Sequence, residues 1–158
     1  MKPSLKTGLS FGLTSASITT LGLIIGLNAG THSKIIILGG IITIAIADSF
    51  SDALGIHISE ESDHKNSSKE VWESTFSTLC CKLIFALSFI VPILLFELQT
   101  AIIVSILWGL SLLSILSYKL AKKRKSKPWK VVIEHLIIAL FVIIITHLVG
   151  SWVATAFV

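Results

Sequence analysis

Two carboxylates lie four residues apart in an otherwise apolar stretch of this sequence, at Asp48 and Asp52. A spacing of four places both side chains on one face of a helix. Each charge in the middle of a membrane costs at least about 2.5 kcal/mol, and two like charges cost more unless a cation or a proton lies between them. The pair therefore predicts an ion site, with an ion pair to Lys82 or a position among lipid headgroups as the structural alternative.

Hydroxyl side chains are dense in the apolar segment that precedes this pair. They are Thr14, Ser15, Ser17, Thr19 and Thr20. Ser15 and Thr19, together with Ser51 between the two aspartates, are predicted to supply oxygen atoms to a polar path. The alternative is that these side chains bond to carbonyl groups of their own helix, which we expect for at least half of the hydroxyls in the first segment.

Carboxylates and imidazoles follow the aspartate pair in a polar loop. The candidate metal ligands are His57, Glu60, Glu61, Glu70 and Glu73, beside Asp63 and His64. Oxygen-rich clusters suit Mn²⁺ and Fe²⁺, and imidazole shifts the preference toward iron or zinc. Such a loop would also concentrate cations near the aspartates. An ordinary solvated loop is the alternative, because the sequence contains no CxxC or HExxH motif.

His147 lies deep in the last apolar segment. A buried histidine often serves only as a hydrogen-bonding partner, but imidazole can carry protons near neutral pH, so His147 is a candidate proton relay. The sequence contains no nucleophile elbow, P-loop or dinucleotide-binding fingerprint. We therefore predict no enzyme activity and no permanently bound cofactor.

The elements that must position these residues are helices that cross a membrane. Hydrophobic residues make up 53% of the chain and charged residues only 14%, against about a quarter charged in soluble domains. The composition predicts an all-α, polytopic membrane protein with one domain over residues 1–158. Five apolar blocks are long enough to span, at about 8–29, 35–58, 74–96, 99–117 and 132–156. Pro92 is expected to kink the third span.

Basic residues orient the predicted spans. Seven of the 13 lysines and arginines lie between the fourth and fifth spans, at Lys119, Lys122, Lys123, Arg124, Lys125, Lys127 and Lys130. The positive-inside rule places this stretch and the N-terminus in the cytoplasm. A polybasic run beside a span attracts anionic lipid headgroups, so residues 119–130 predict a lipid contact and no nucleic-acid partner. We expect a multi-pass protein of a prokaryotic plasma membrane, since no organellar targeting signal is recognised.

Small residues recur at helical spacing on the first two spans. They are Gly8, Gly12, Ala16, Gly22, Gly26 and Gly30 on the first, and Ala47, Ser51, Gly55 and Ser59 on the second. Such stripes let helix backbones approach closely. Packing within one chain and an interface between two chains are both compatible with this pattern.

Several segments resemble the vacuolar iron transporter family. Residues 15–27 are similar to that family's Asp-Gly-[hydrophobic]-[Ser/Val/Thr]-Thr…Gly-Leu stretch, and residues 47–59 to its Ala-[Asp/Gly]-x-x-Ser-Met-Ala-x-Gly-[acidic]-Tyr-x-Ser signature. Pro92 and the ending Thr-His-Leu-Val-Gly at 146–150 are similar to features of its third and fifth spans. The resemblance implies export of Fe²⁺ or Mn²⁺ from the cytoplasm in exchange for protons, by a homodimer with a metal path lined by the first two spans.

The sequence departs from the family pattern at the transport residues. Ser15 stands at the family's aspartate, Asp52 at its methionine and Ile56 at an acidic position, and the long metal-binding insertion is reduced to residues 59–72. We therefore expect Asp48 and Asp52 to take over the ion site, because a carboxylate in place of a thioether favours harder ions such as Mn²⁺. The alternative function is a non-transporting membrane scaffold or assembly protein that keeps the fold.

Overall fold

The computed structural model describes residues 2–63, 66–123 and 126–157, so His64, Arg124 and Lys125 of the predicted loops lie outside the described residues. The described ranges contain helices and no strand. The helices are α1 (Pro3–Thr31), α2 (Lys34–Ser62), α3 (Ser68–Ser88), α4 (Ile90–Leu95), α5 (Leu98–Lys123) and α6 (Pro128–Phe157). The prediction of an all-α fold is confirmed.

Five helical stretches are long and apolar enough to cross a membrane. They are α1, α2, α3 together with α4, α5 and α6. Each covers most of one predicted span, and the helices continue beyond the spans into their polar flanks. The length and composition of these helices indicate a membrane-embedded protein.

Local sequence explains where several helices begin, break and end. The Ser67 hydroxyl and the Glu70 carboxylate form a capping box at the start of α3. His32 ends α1 in the left-handed conformation, with φ of 50°. The third span is interrupted at Phe89, between α3 and α4, because Pro92 has no N–H to donate to the carbonyl four residues before it. The helical pattern is therefore interrupted close to the position where the sequence predicts a kink.

The small-residue stripe of α1 packs within the chain. A Cβ atom at Gly8 would lie 2.5 Å from the carbonyl oxygen of Ser74 on α3. Further along, Gly26 lies against α6, where a Cβ atom on Gly150 would collide with the Gly26 carbonyl oxygen. Because α1 also contacts α2 and α5, it is the central helix of the bundle.

The stripe of α2 has no such neighbour among the described residues. Ala47, Ser51, Gly55 and Ser59 are exposed, and a Cβ atom on Gly55 would meet nothing within 4 Å. Instead α2 buries the row at Ile37, Ile41, Ala45, Ser49 and Ala53. Among the described residues, the small-residue stripe of α1 therefore packs against other helices of the chain, whereas the stripe of α2 does not.

The two ends of the bundle differ in polarity. We call the end that holds the first turn of α1 and the junctions α2–α3 and α5–α6 the N-terminal end. The largest apolar core lies toward the opposite end, where it includes Leu21, Ile24, Ile37, Ile41, Phe89, Ile93 and Ala101. The charged side chains of the candidate site lie between this core and the N-terminal end.

Candidate ion site

A buried charged cluster joins the first three spans. The Lys82 side chain extends from α3 and is only 1% exposed. Its Nζ lies 2.5 Å from Oδ2 of Asp48, also pairs with Oδ2 of Asp52, and donates a hydrogen bond of 2.8 Å to Oγ of Ser15. One ammonium group therefore contacts two carboxylates on α2 and a hydroxyl on α1. We call Asp48, Lys82 and Asp52 the triad.

Small side chains allow the three helices to come close enough for this contact. A Cβ atom on Gly12 of α1 would lie 2.9 Å from the Thr78 carbonyl oxygen and 3.1 Å from the Lys82 backbone nitrogen. Ala16, Ala45 and Ala86 form a buried cluster with one member on each of α1, α2 and α3. Because these small side chains let the helices come close, the lysine on α3 reaches both of its neighbours.

The triad carries an unbalanced charge and is not sealed. Two carboxylates and one ammonium sum to one negative charge, while the Asp48 and Asp52 side chains remain 27% and 19% exposed. At 100° per residue, the row of the aspartates lies between the buried row of α2 and its exposed small-residue stripe. A proton or a further cation would balance the charge, because an uncompensated charge in a span is costly.

A polar cavity of about 350 Å³ opens at the N-terminal end of the bundle. It lies between the first turns of α1, the end of α2 and the start of α3, which are the helices that hold the triad. Glu60, Asp63 and Glu70 line it together with the hydroxyl groups of Ser4 and Thr7. Glu60 is eight residues from Asp52, a rise of about 12 Å along α2. A negatively charged cavity at this distance can gather cations beside the triad.

Two of the glutamates predicted as metal ligands have structural partners. Glu70 accepts hydrogen bonds from the backbone N–H and the hydroxyl of Ser67, at 2.9 Å and 2.7 Å. Glu73 accepts from Nζ of Lys2 at 2.6 Å and from Oγ of Ser4 at 2.8 Å. Glu70 therefore caps α3, and Glu73 fastens the start of α1 to α3.

The remaining predicted loop ligands point to separate partners. Glu60 accepts a hydrogen bond of 2.9 Å from the Asn66 amide, and Glu61 is exposed. Nδ1 of His57 lies 2.9 Å from Oγ1 of Thr75. Across residues 2–63, 66–123 and 126–157, no three His, Cys, Asp or Glu side chains converge in a group that could hold a metal ion. The structure thus brings Asp48 and Asp52 together at Lys82, and it places Glu60 and Glu70 in the lining of the polar cavity.

The residues predicted for a polar path and a proton relay do not all lie at the triad. Ser15 contacts the triad, whereas Thr19 donates its hydroxyl hydrogen to the Ser15 carbonyl at 2.9 Å. Ser51 is exposed on α2. His147 is exposed on α6, which packs mainly against α1 and α5, so the structure does not bring this imidazole to the triad.

The sequence contains a signal for the role of Lys82 but not for the position of Ser4 and Thr7 in the cavity. Lys82 is the one charged residue between Glu73 and Glu97, and such a residue needs a partner within the membrane. The hydroxyls of Ser4 and Thr7 lie one turn apart at the start of α1, but their place beside Glu60 depends on how α1 and α2 pack.

No protein-family model matches this chain, and no curated protein matches it. The resemblance to the vacuolar iron transporter family stays a prediction made from the segments quoted above. The function is therefore argued from the triad and its surroundings.

Proposed function

We propose that this protein is a membrane transporter that exchanges a divalent cation, Mn²⁺ or Fe²⁺, for protons at the triad. The observation that supports the proposal is a lysine side chain only 1% exposed, held between two aspartates on a neighbouring membrane-crossing helix. Ionisable side chains inside spans are rare and costly, and they mark ion paths and proton relays. The resemblance of residues 15–27 and 47–59 to a metal transporter family agrees with this assignment.

The net charge of the triad is compatible with the exchange of one divalent cation for one proton. With Lys82 protonated, the triad carries one negative charge. If Lys82 gives up its proton as a divalent cation binds both carboxylates, the site becomes neutral. One cation arriving from the cytoplasm then releases one proton, and protonation of Lys82 expels the cation. The coupling needs no second ion site.

The oxygen atoms around the ammonium suit a hard cation. The Lys82 nitrogen has Asp48, Asp52 and Ser15 as its oxygen partners. A cation that takes the place of the ammonium would find two carboxylates and one hydroxyl, without sulfur or imidazole. Mn²⁺ accepts such a set more readily than metals that prefer softer ligands. Water or a second subunit would supply the remaining ligands.

The polar cavity and the exposed stripe of α2 complete the proposed path. Cations gather in the cavity lined by Glu60, Asp63 and Glu70, at the end that we assign to the cytoplasm of a prokaryotic cell because the basic residues lie there. A second copy of the chain packs on the stripe that includes Ala47, Ser51 and Gly55, and it covers the exposed edge of the carboxylates. The functional unit is then a homodimer.

Transport assays in proteoliposomes test this proposal. Uptake of Mn²⁺ and Fe²⁺ is measured under an imposed pH gradient for the wild type, Asp48→Asn and the control Glu97→Gln, an exposed carboxylate at the opposite end of the bundle. We expect wild-type flux that follows the gradient, loss of that flux in Asp48→Asn, and retained flux in the control. Folded wild-type protein that moves neither metal would overturn the proposal.

A second candidate function is a non-transporting membrane scaffold. The contact that favours it is the pairing of one ammonium with both carboxylates. In a scaffold, these contacts would have a purely structural role and hold α1, α2 and α3 together. The variant Asp48→Asn/Lys82→Met/Asp52→Asn keeps the cluster neutral and distinguishes the two. If the protein is a scaffold, cells with this variant should behave as cells with the wild type do. If it is a transporter, cells with this variant should lose metal efflux.

A further inference from the structure

A groove with a basic rim lies between α1 and α5 at the N-terminal end of the bundle. Its volume is about 530 Å³, and Lys6, Lys119, Lys122 and Lys123 line it. None of its lining residues is acidic. Lys6 belongs to α1, whereas the other three lysines belong to α5. The groove therefore combines basic residues from two helices, and the polybasic run supplies only those of α5.

The floor of the groove is apolar. Leu9, Leu116 and Leu120 line the groove, and we call these three residues the floor; Tyr118 also lines the groove. The Tyr118 ring packs edge-on against Trp129, with ring centroids 5.8 Å apart. Tyrosine and tryptophan side chains are enriched where a membrane meets water. This pair of rings beside lysines is typical of the level at which a lipid headgroup meets its acyl chains.

We propose that this groove binds one anionic phospholipid, with its phosphate among the lysines and an acyl chain along the leucines. Four ammonium groups with no carboxylate among the lining residues favour an anionic headgroup over a zwitterionic one. A soluble anion would gain nothing from the apolar floor, whereas a lipid uses both parts of the groove. This site is separate from the triad and does not depend on metal transport.

Lipid binding by the purified full-length chain tests the proposal. Native mass spectrometry measures retention of dioleoylphosphatidylglycerol and dioleoylphosphatidylcholine by protein in detergent micelles. The groove variant Lys6→Gln/Lys119→Gln is compared with the control Lys127→Gln/Lys130→Gln, which removes the same charge from exposed lysines outside the groove. We expect the groove pair to weaken phosphatidylglycerol binding roughly tenfold or more while the control pair has little effect.

Two further arms separate a lipid site from simpler explanations. Leu9→Ser keeps every charge and should weaken phosphatidylglycerol binding through the floor, while free glycerol phosphate should not compete with the lipid. Equal losses in the two lysine pairs would show diffuse attraction to the basic run and would overturn the proposal. Competition by glycerol phosphate would indicate a soluble anion instead, and absence of a preference for phosphatidylglycerol would rule the site out.

Discussion

The triad and the polar cavity at the N-terminal end contain the same kind of charged group but organise it differently. In the triad, Asp48 and Asp52 share one ammonium that is almost completely buried. Beside the cavity, Glu70 bonds to Ser67, and Glu73 pairs with Lys2, whose side chain is 58% exposed. Charges near water need only weak, local partners. Charges inside a span must be compensated by one another, because neither lipid nor the apolar interior can solvate them.

This difference predicts opposite responses to substitution. Removing one member of a buried cluster leaves the others uncompensated, while neutralising the whole cluster often costs little. Removing a partner of an exposed carboxylate returns that carboxylate to water. The triad should therefore behave as a unit, and the residues of the cavity should behave independently.

Loss of the ammonium alone should have the largest effect. Lys82→Met leaves two adjacent carboxylates unpaired, and we expect a destabilisation of about 3–5 kcal/mol, measured by thermal unfolding in detergent. Mn²⁺ should restore part of this loss, since the proposed cation takes the place of Lys82. Lys69→Met, at an exposed position on the same helix, is the control and should change nothing. A Lys82→Met protein as stable as the wild type would contradict the contrast drawn between the triad and the polar cavity.

Neutralising the whole triad should restore the fold without restoring activity. We expect Asp48→Asn/Lys82→Met/Asp52→Asn to unfold within about 1–2 kcal/mol of the wild type, because no buried charge remains. Metal flux should be absent in the same preparation. If the triple variant is no more stable than Lys82→Met, the triad does not act as a unit.

The close approach of α1 to α3 should matter next. Gly12→Ala places a methyl group near the Thr78 carbonyl oxygen and the Lys82 backbone nitrogen, so we expect a loss of about 1–3 kcal/mol and a reduced metal flux. Gly39→Ala is the matched control, because a Cβ atom on Gly39 would meet nothing within 4 Å and this position lies outside the small-residue stripe of α2. Similar melting temperatures for the two alanine variants would contradict the packing described around Lys82.

The smallest effect is expected at the cavity. Glu60→Gln removes one charge beside water, so the melting temperature should stay close to that of the wild type. The apparent affinity for Mn²⁺ should fall a few-fold at low ionic strength, and the difference should shrink in 0.15 M salt, where the Debye length is about 8 Å. An effect of Glu60→Gln as large as that of Asp48→Asn would place the main ion site in the cavity instead.

The sequence predicts the helices well because each span is a long apolar block, and it predicts the break near Pro92 because proline lacks an N–H group. It also identifies the shared face of Asp48 and Asp52 from their spacing alone. The pairing with Lys82 appears only as an alternative, since it depends on which faces of α1, α2 and α3 meet. No spacing rule within a single helix determines that choice.

The partners of the predicted loop glutamates could be inferred from the sequence only in part. A Ser-x-x-Glu pattern at Ser67 and Glu70 is the signature of a capping box, so a structural use of Glu70 was readable from the sequence. The partner of Glu73 was not, because Lys2 immediately precedes α1 and meets Glu73 only after α1 and α3 pack. Carboxylate composition alone does not distinguish a helix cap or an ion-pair partner from a metal ligand.

The exchange of a cation for a proton at the triad is tested most directly by measuring both fluxes in the same proteoliposomes. Mn²⁺ uptake and proton movement are followed together with two internal indicators, for the wild type and for Lys82→Gln. The account predicts one proton moved against each Mn²⁺ in the wild type, and no proton movement linked to Mn²⁺ in the variant. Mn²⁺ flux with the same proton coupling in both proteins would contradict the role of Lys82, and wild-type uptake without any proton movement would contradict the exchange itself.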